Sequence, residues 1–163
     1  MKFTALKTRR TERLVDELER LQSQITERAY EMFRKRGALF GAALDDWLTA
    51  EKQTIWKPAI EVCRRDNAFI IEAGVAGVEP RELDIQVTPD TVLIKADTTH
   101  AHPDKKGTVH VCEFQPGQLF RLIRLPATID PDGVKAEYRN GLLRITAAIA
   151  VAKQAKAVEV KVA

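Results

Sequence analysis

Cysteine is scarce in this chain of 163 residues, with Cys63 and Cys112 the only two. Two thiols so far apart in sequence build neither a metal knuckle nor a disulfide framework, so both are read as free. Aromatic residues make up only 6%, which removes the stacking platforms used to bind single-stranded nucleic acid. No run approaches the roughly 20 apolar residues that a membrane span needs. The first ten residues lack the apolar centre of a secretory leader, so a cytoplasmic location is expected. Charge of a dominant sign is missing too. Lys and Arg number 26 against 23 Asp and Glu, a balance that calls for neither nucleic acid nor an anionic membrane as partner.

The signatures of catalysis are also absent: no G-x-S-x-G elbow, no Gly-rich phosphate loop, no H-E-x-x-H, and no carboxylate pair placed for acid–base work. Neither enzymatic activity nor a cofactor is expected. His100 and His102 form an H-x-H with Asp97, Asp104 and His110 nearby. Loop histidines without fixed geometry or supporting hydrogen bonds do not make a metal site, and none is assigned.

What is present is a globular composition, 45% hydrophobic and 30% charged, of a length that fits one domain with an appendage. Over residues 11–35, Leu14, Leu18, Leu21, Ile25, Met32 and Phe33 recur mostly at steps of three, four and seven, in a stretch without Gly or Pro. This is the spacing of an amphipathic helix. Arg34, Lys35 and Arg36 suit its C-terminal dipole, and Gly37 ends it. Residues 38–52, with Leu44, Trp47 and Leu48, predict a second, shorter helix. The plainer reading of this apolar stripe is core packing or self-association; the other is a surface offered to proteins.

Beyond Lys57-Pro58 the pattern changes to short runs rich in Val, Ile, Leu and Phe: IEVCRRDNAFIIEAGV, LDIQV, TVLIKA, VHVCE, LFRLIRLP, VKAEY and LLRITAAIA. Turn residues separate them. About seven strands without intervening helices predict an antiparallel β-sandwich. Asn140-Gly141 is the strongest hairpin signal, because a tight two-residue turn needs positive φ.

Read in order, PAIEV (58–62), AGVAGVEPRELDIQV (73–87), TVLIKA (91–96), GQLFRLIRLP (117–126) and VKAEYRNGLLRI (134–145) resemble the α-crystallin domain of bacterial small heat-shock proteins. The family's A-x-x-x-N-G-V-L signature appears as Ala136, Asn140, Gly141, Leu142 and Leu143. Two departures are Ala76-Gly77 where Pro-Gly is common and Leu119 where Phe is common. The resemblance implies a mainly β, immunoglobulin-like sandwich over residues 56–150, a helical arm over 1–55 and an extended tail over 151–163.

For function, the resemblance implies an ATP-independent holdase that covers the apolar surface of partly unfolded client proteins. It needs no cofactor, metal, nucleic acid or membrane. Residues 97–116, carrying a short strand over 108–113, imply a strand-swapped dimer with Val109, Val111 and Arg121 at its interface, and a higher homo-oligomer. Val158 and Val160 of the tail match the I/V-x-I/V motif, with Ile85, Val87 and Ala136 as its receiving groove. Leu14, Leu18, Leu21, Phe33, Phe40 and Trp47 are the candidate client or assembly face. This scheme expects the sandwich rims to remain available to other polypeptides. The rival reading is a non-catalytic adaptor that binds one folded partner. Residues 27–30, with Gly37 and residues 44–48, also resemble a short helical segment of unknown role that sometimes precedes this sandwich in bacterial proteins.

Overall fold

The computed structural model describes residues 3–37, 41–98, 108, 110–113 and 117–150. Two short strands, β1 (Thr4–Leu6) and β2 (Thr8–Arg10), precede the helices α1 (Leu14–Lys35) and α2 (Ala43–Thr54). The strands β3 (Ile55–Trp56), β4 (Ile60–Arg65), β5 (Ala68–Gly74), β6 (Leu83–Val87), β7 (Thr91–Ala96), β8 (Gln118–Arg124), β9 (Lys135–Arg139) and β10 (Leu142–Ala148) follow.

Among the described residues, ten strands form two five-stranded sheets, ordered β1-β9-β10-β5-β4 and β2-β6-β7-β8-β3. Alternation decides which side chains meet between them. Phe69, Ile71 and Ala73 of β5, Ile85 and Val87 of β6, Val92 and Ile94 of β7, and Leu143 and Ile145 of β10 all point into one buried cluster. The long run at residues 60–75 resolves into the β4–β5 hairpin, turned at Asp66 with φ 54°. Asn140 and Gly141 take φ 49° and 81° between β9 and β10, as the hairpin signal requires.

The N-terminal region departs from the sequence expectation. Its first residues are strands, not helix. β1 pairs antiparallel with β9 and β2 pairs parallel with β6, so one extended segment bonds to both sheets, crossing at Lys7. The pairing of β3 with β8 is also parallel, so both edge pairings of the second sheet are parallel while the first sheet is antiparallel throughout. The two helices pack together and lie on the outer face of the second sheet. There Leu21, Ile25, Ala50 and Ile55 bury Leu93 of β7 and Phe120 of β8, with Leu14, Ala29, Met32 and Trp47 packed around them. Arg36 near the end of α1 donates to Asp46 in the first turn of α2 at 2.6 Å, tying the hairpin at its turn.

Gly117 is where the helical hairpin and the sheet meet most closely. Its φ is +98°, and a Cβ would stand 2.2 Å from the Thr54 carbonyl oxygen. Its own carbonyl accepts from Thr98 Oγ1, which in turn accepts from Trp56 Nε1. A Gly117→Ala variant is expected to lose about 1–3 kcal/mol through strained backbone alone, with the clash adding to it. Urea denaturation checks this, and an unchanged midpoint would contradict it.

Candidate functional site

Among the described residues, the distinctive geometry is at the rims of the sandwich and on its helix-covered face. At one rim, β4 ends the first sheet, and among the described residues nothing pairs with its outer side. It is polar and half-open: Val62 is 39% exposed and Cys63 half-buried. Such an edge presents unpaired backbone groups ready for another strand. Thr108, His110, Val111, Cys112 and Glu113 are exposed and belong to no strand within the single chain. Among the described residues, those of the sequence-expected strand at 108–113 pair with no other strand; Val109 lies outside the described residues.

Arg121 sits on β8 opposite Ile94 of β7. By alternation it shares its side of the sheet with Leu119 and Ile123. Its Nε is buried without a hydrogen-bond partner. A buried guanidinium N–H left unmet costs free energy, so this position favours an incoming acceptor.

At the opposite rim, the residues expected to receive the tail are buried in the sandwich core and paired with the chain's own N-terminal segment. Ile85, Val87 and Ala136 are 0%, 0% and 3% exposed. Their register partners are Thr8, Arg10 and Leu6 of the chain's own N-terminal segment. The expectation that both rims stand open is therefore corrected: among the described residues the β4 rim has no partner and the β6–β9 rim is capped. Val158 and Val160 lie outside the described residues.

The client-face residues also divide. Leu21 is buried, and Leu14 and Trp47 pack beside it against the second sheet, because Leu93 and Phe120 give that sheet an apolar outer face that must be covered. In this closed arrangement these three form core, not open surface. Leu18 is 38% exposed, Phe33 is half-buried and stacked with Tyr30 at 6.3 Å, and Phe40 is outside the described residues.

A charged cluster that no local sequence cue announces joins the cap to the sheet. Arg9 of β2 grips Asp84 of β6 with two hydrogen bonds, 2.9 Å and 2.7 Å. Lys95 of β7 lies 3.0 Å from Glu17 of α1 and 3.5 Å from Asp84. The Gln86 side-chain amide donates to both Glu17 and Asp84, at 3.2 Å and 3.0 Å, and the residue is only 1% exposed. Asp84 and Lys95 are cross-strand partners, so one side of the second sheet presents the whole set. The hydrogen bond from Lys95 holds the Glu17 carboxyl below its usual range against partial burial, with Gln86 and Arg20 helping. Burial pushes Asp84 up, but the hydrogen bonds from Arg9 and Gln86 and the two nearby positive charges outweigh it and leave the carboxyl lowered.

With this geometry in place, comparison with known proteins is decisive for the family. The model of the Hsp20/alpha crystallin family matches residues 61–163, more than half of the sequence. The chain belongs to the Hsp20/alpha crystallin family. A second match, to a family described as a protein of unknown function (DUF2934), covers residues 20–53, which is most of the α1–α2 hairpin. Small heat shock protein C2 of Rickettsia felis is 29% identical over 98 residues, 60% of this chain and 62% of that protein. The 17.5 kDa class I heat shock protein of Glycine max is 30% identical over 100 residues, covering 61% and 65%. The alignments thus span less than two thirds of these relatives' own lengths. Among solved structures, a small heat-shock protein from Xylella fastidiosa superposes with a TM-score of 0.54 at 23% identity, covering 65% of this chain and 97% of that one. Heat shock protein 16.0 from Schizosaccharomyces pombe gives 0.55 at 22%, covering 66% and 99%. At this identity the Hsp20 likeness of the two structures is one of fold.

The lowered carboxyls fix the sign of a pH effect. Their stabilisation is full above the unfolded values, about 4, and is lost as pH falls through the lower folded values. Glu17→Gln is expected to lower stability by about 1 kcal/mol at neutral pH. The gap to wild type should narrow as the pH is taken below about 4, followed by urea midpoints. A gap that widens in acid would show that the charge on Glu17 is not what stabilises the contact.

Proposed function

We propose that this Hsp20-family chain is an ATP-independent holdase, which covers apolar surface on partly unfolded proteins before they associate with one another. The observation that carries this reading is the family sandwich with one rim, β4, left open to another polypeptide, beside an apolar sheet face whose cover is a separate helical hairpin. Apolar contact is non-directional and suits many clients. No step requires a nucleotide, a metal or a bond-making residue, and the chaperone reading is favoured over that of a dedicated adaptor by the heat-shock relatives. The cytoplasm is the proposed location.

Self-assembly follows from the same rims. The strand at 108–113, whose described residues are exposed and belong to no strand, is proposed to add to β4 of a second copy, bringing Val109 and Val111 to the interface and an acceptor to the unmet Arg121 Nε. The tail is proposed to lay Val158 and Val160 over Ile85, Val87 and Ala136, with β1–β2 giving way. Two buried valines contribute on the order of 3–5 kcal/mol before ordering costs. One such contact is weak, and many in one particle hold by avidity. Leu14, Leu18, Leu21, Phe33, Phe40 and Trp47 then serve clients or assembly once the hairpin lifts.

Light scattering of a heat-labile enzyme, without ATP, tests the activity: equimolar chain should suppress most of the turbidity, and unchanged turbidity would refute the holdase. Native mass measurement tests assembly. Shortening residues 97–116 should shift the protein to monomer, while Val158→Ala/Val160→Ala should leave dimers and lower the particle mass. A dimer that survives the shortened loop would rule out the swap.

A further inference from the structure

Three observations bear on how the N-terminal region is held. First, β1 and β2 are short and mostly polar. Leu6 is their one residue packed against the sandwich core, and pairing extends over three residues on each side. So little apolar contact makes a weak plug by itself. Second, the hairpin is held by a real apolar contact, Leu21 and Ile25 on Leu93 and Phe120. Third, Arg9 of β2 and Glu17 in the first turn of α1 close on the same Asp84–Lys95 pair, with Gln86 bonded between the two carboxylates. The backbone between them is bonded as well, Thr11 N–H donating to the Val87 carbonyl at 3.0 Å.

We propose that strand β1–β2 and the α1–α2 hairpin are a single coupled cover, joined through the Arg9–Asp84–Lys95–Glu17 cluster, so that the β6–β9 groove and the Leu93–Phe120 face open together. The hairpin, homologous to a family without assigned role, is on this view the clamp that keeps a weak strand in the groove. Removing Glu17 from the cluster leaves Lys95 and the Gln86 amide short of an acceptor and Arg9 short of a neighbouring charge, which loosens both parts at once. Displacement of β1–β2 by any competing strand, in turn, takes Arg9 from Asp84 and unsettles the hairpin. Only the identity of that strand as residues 151–163 rests on the function proposed above; the coupling does not.

Hydrogen exchange on the full chain, read by mass spectrometry, tests it, with Trp47 emission followed alongside in a Trp56→Phe background that leaves Trp47 the one tryptophan. Leu6→Asp attacks the strand and leaves every helix contact in place. It should raise exchange at least tenfold both in residues 4–10 and in α1 and α2, and shift Trp47 emission to the red. Glu17→Gln should raise both regions by similar factors. Wild type in 1 M salt, where the Debye length is about 3 Å, supplies a measurement that needs no variant: both regions should again loosen in parallel. Faster exchange of residues 4–10 with wild-type protection of the helices, in the Leu6→Asp chain or in salt, would overturn the coupling. Loss of holdase activity does not enter either readout.

Discussion

The constraint on which the rest of the structure depends is that the second sheet is apolar on both faces. Inward, Ile85, Val87, Val92, Ile94, Leu119 and Ile123 form the sandwich core. Outward, Leu93 and Phe120 stand next to the polar set Asp84, Gln86 and Lys95. A sheet that faced water on this side would carry polar residues throughout. This one must be covered, and the covering element inherits its position from the pattern: apolar residues of α1 and α2 over Leu93 and Phe120, charged residues of β2 and α1 over the polar end.

That arrangement gives the α-crystallin fold here two unlike rims. Among the described residues the β4 rim has no partner, and its polar side chains discourage indiscriminate pairing. The opposite rim is occupied by a segment of the same chain whose side chains, Thr8, Arg9 and Arg10, are not those of a committed core strand. A strand added at the first rim would therefore need only an encounter, whereas one added at the second would have to exchange with the strand already there.

Much of the sandwich was legible in the sequence because its cues are local. Alternation in LDIQV and the β-branched run TVLIKA marked strands, Asn140-Gly141 marked the hairpin, and the Leu and Ile spacing in residues 14–25 marked a helix; that both sides of β6 and β7 are buried was not marked. The helix limits shifted by a few residues, α1 to Leu14–Lys35 and α2 to Ala43–Thr54, since neither N-cap makes a side-chain capping bond to sharpen its start. What was not legible is non-local. TAL and TRR are three residues each, without alternation long enough to read, and their strand character comes from partners more than 70 residues away. The destination of the helical stripe was open for the same reason: amphipathicity says that a face is buried, not against what. The charge cluster joins four elements, and no spacing in a linear sequence reports that.

The crossing of the chain at Lys7 has a mechanical consequence. Two stacked sheets touch mainly through side chains, and such layers can slide. A backbone hydrogen-bonded to β9 on one side of Lys7 and to β6 on the other acts as a stitch between them. Because the first pairing is antiparallel and the second parallel, a pull along the segment loads their hydrogen bonds in different directions. The stitch would then part in two stages, first freeing one layer while the other still holds the thread.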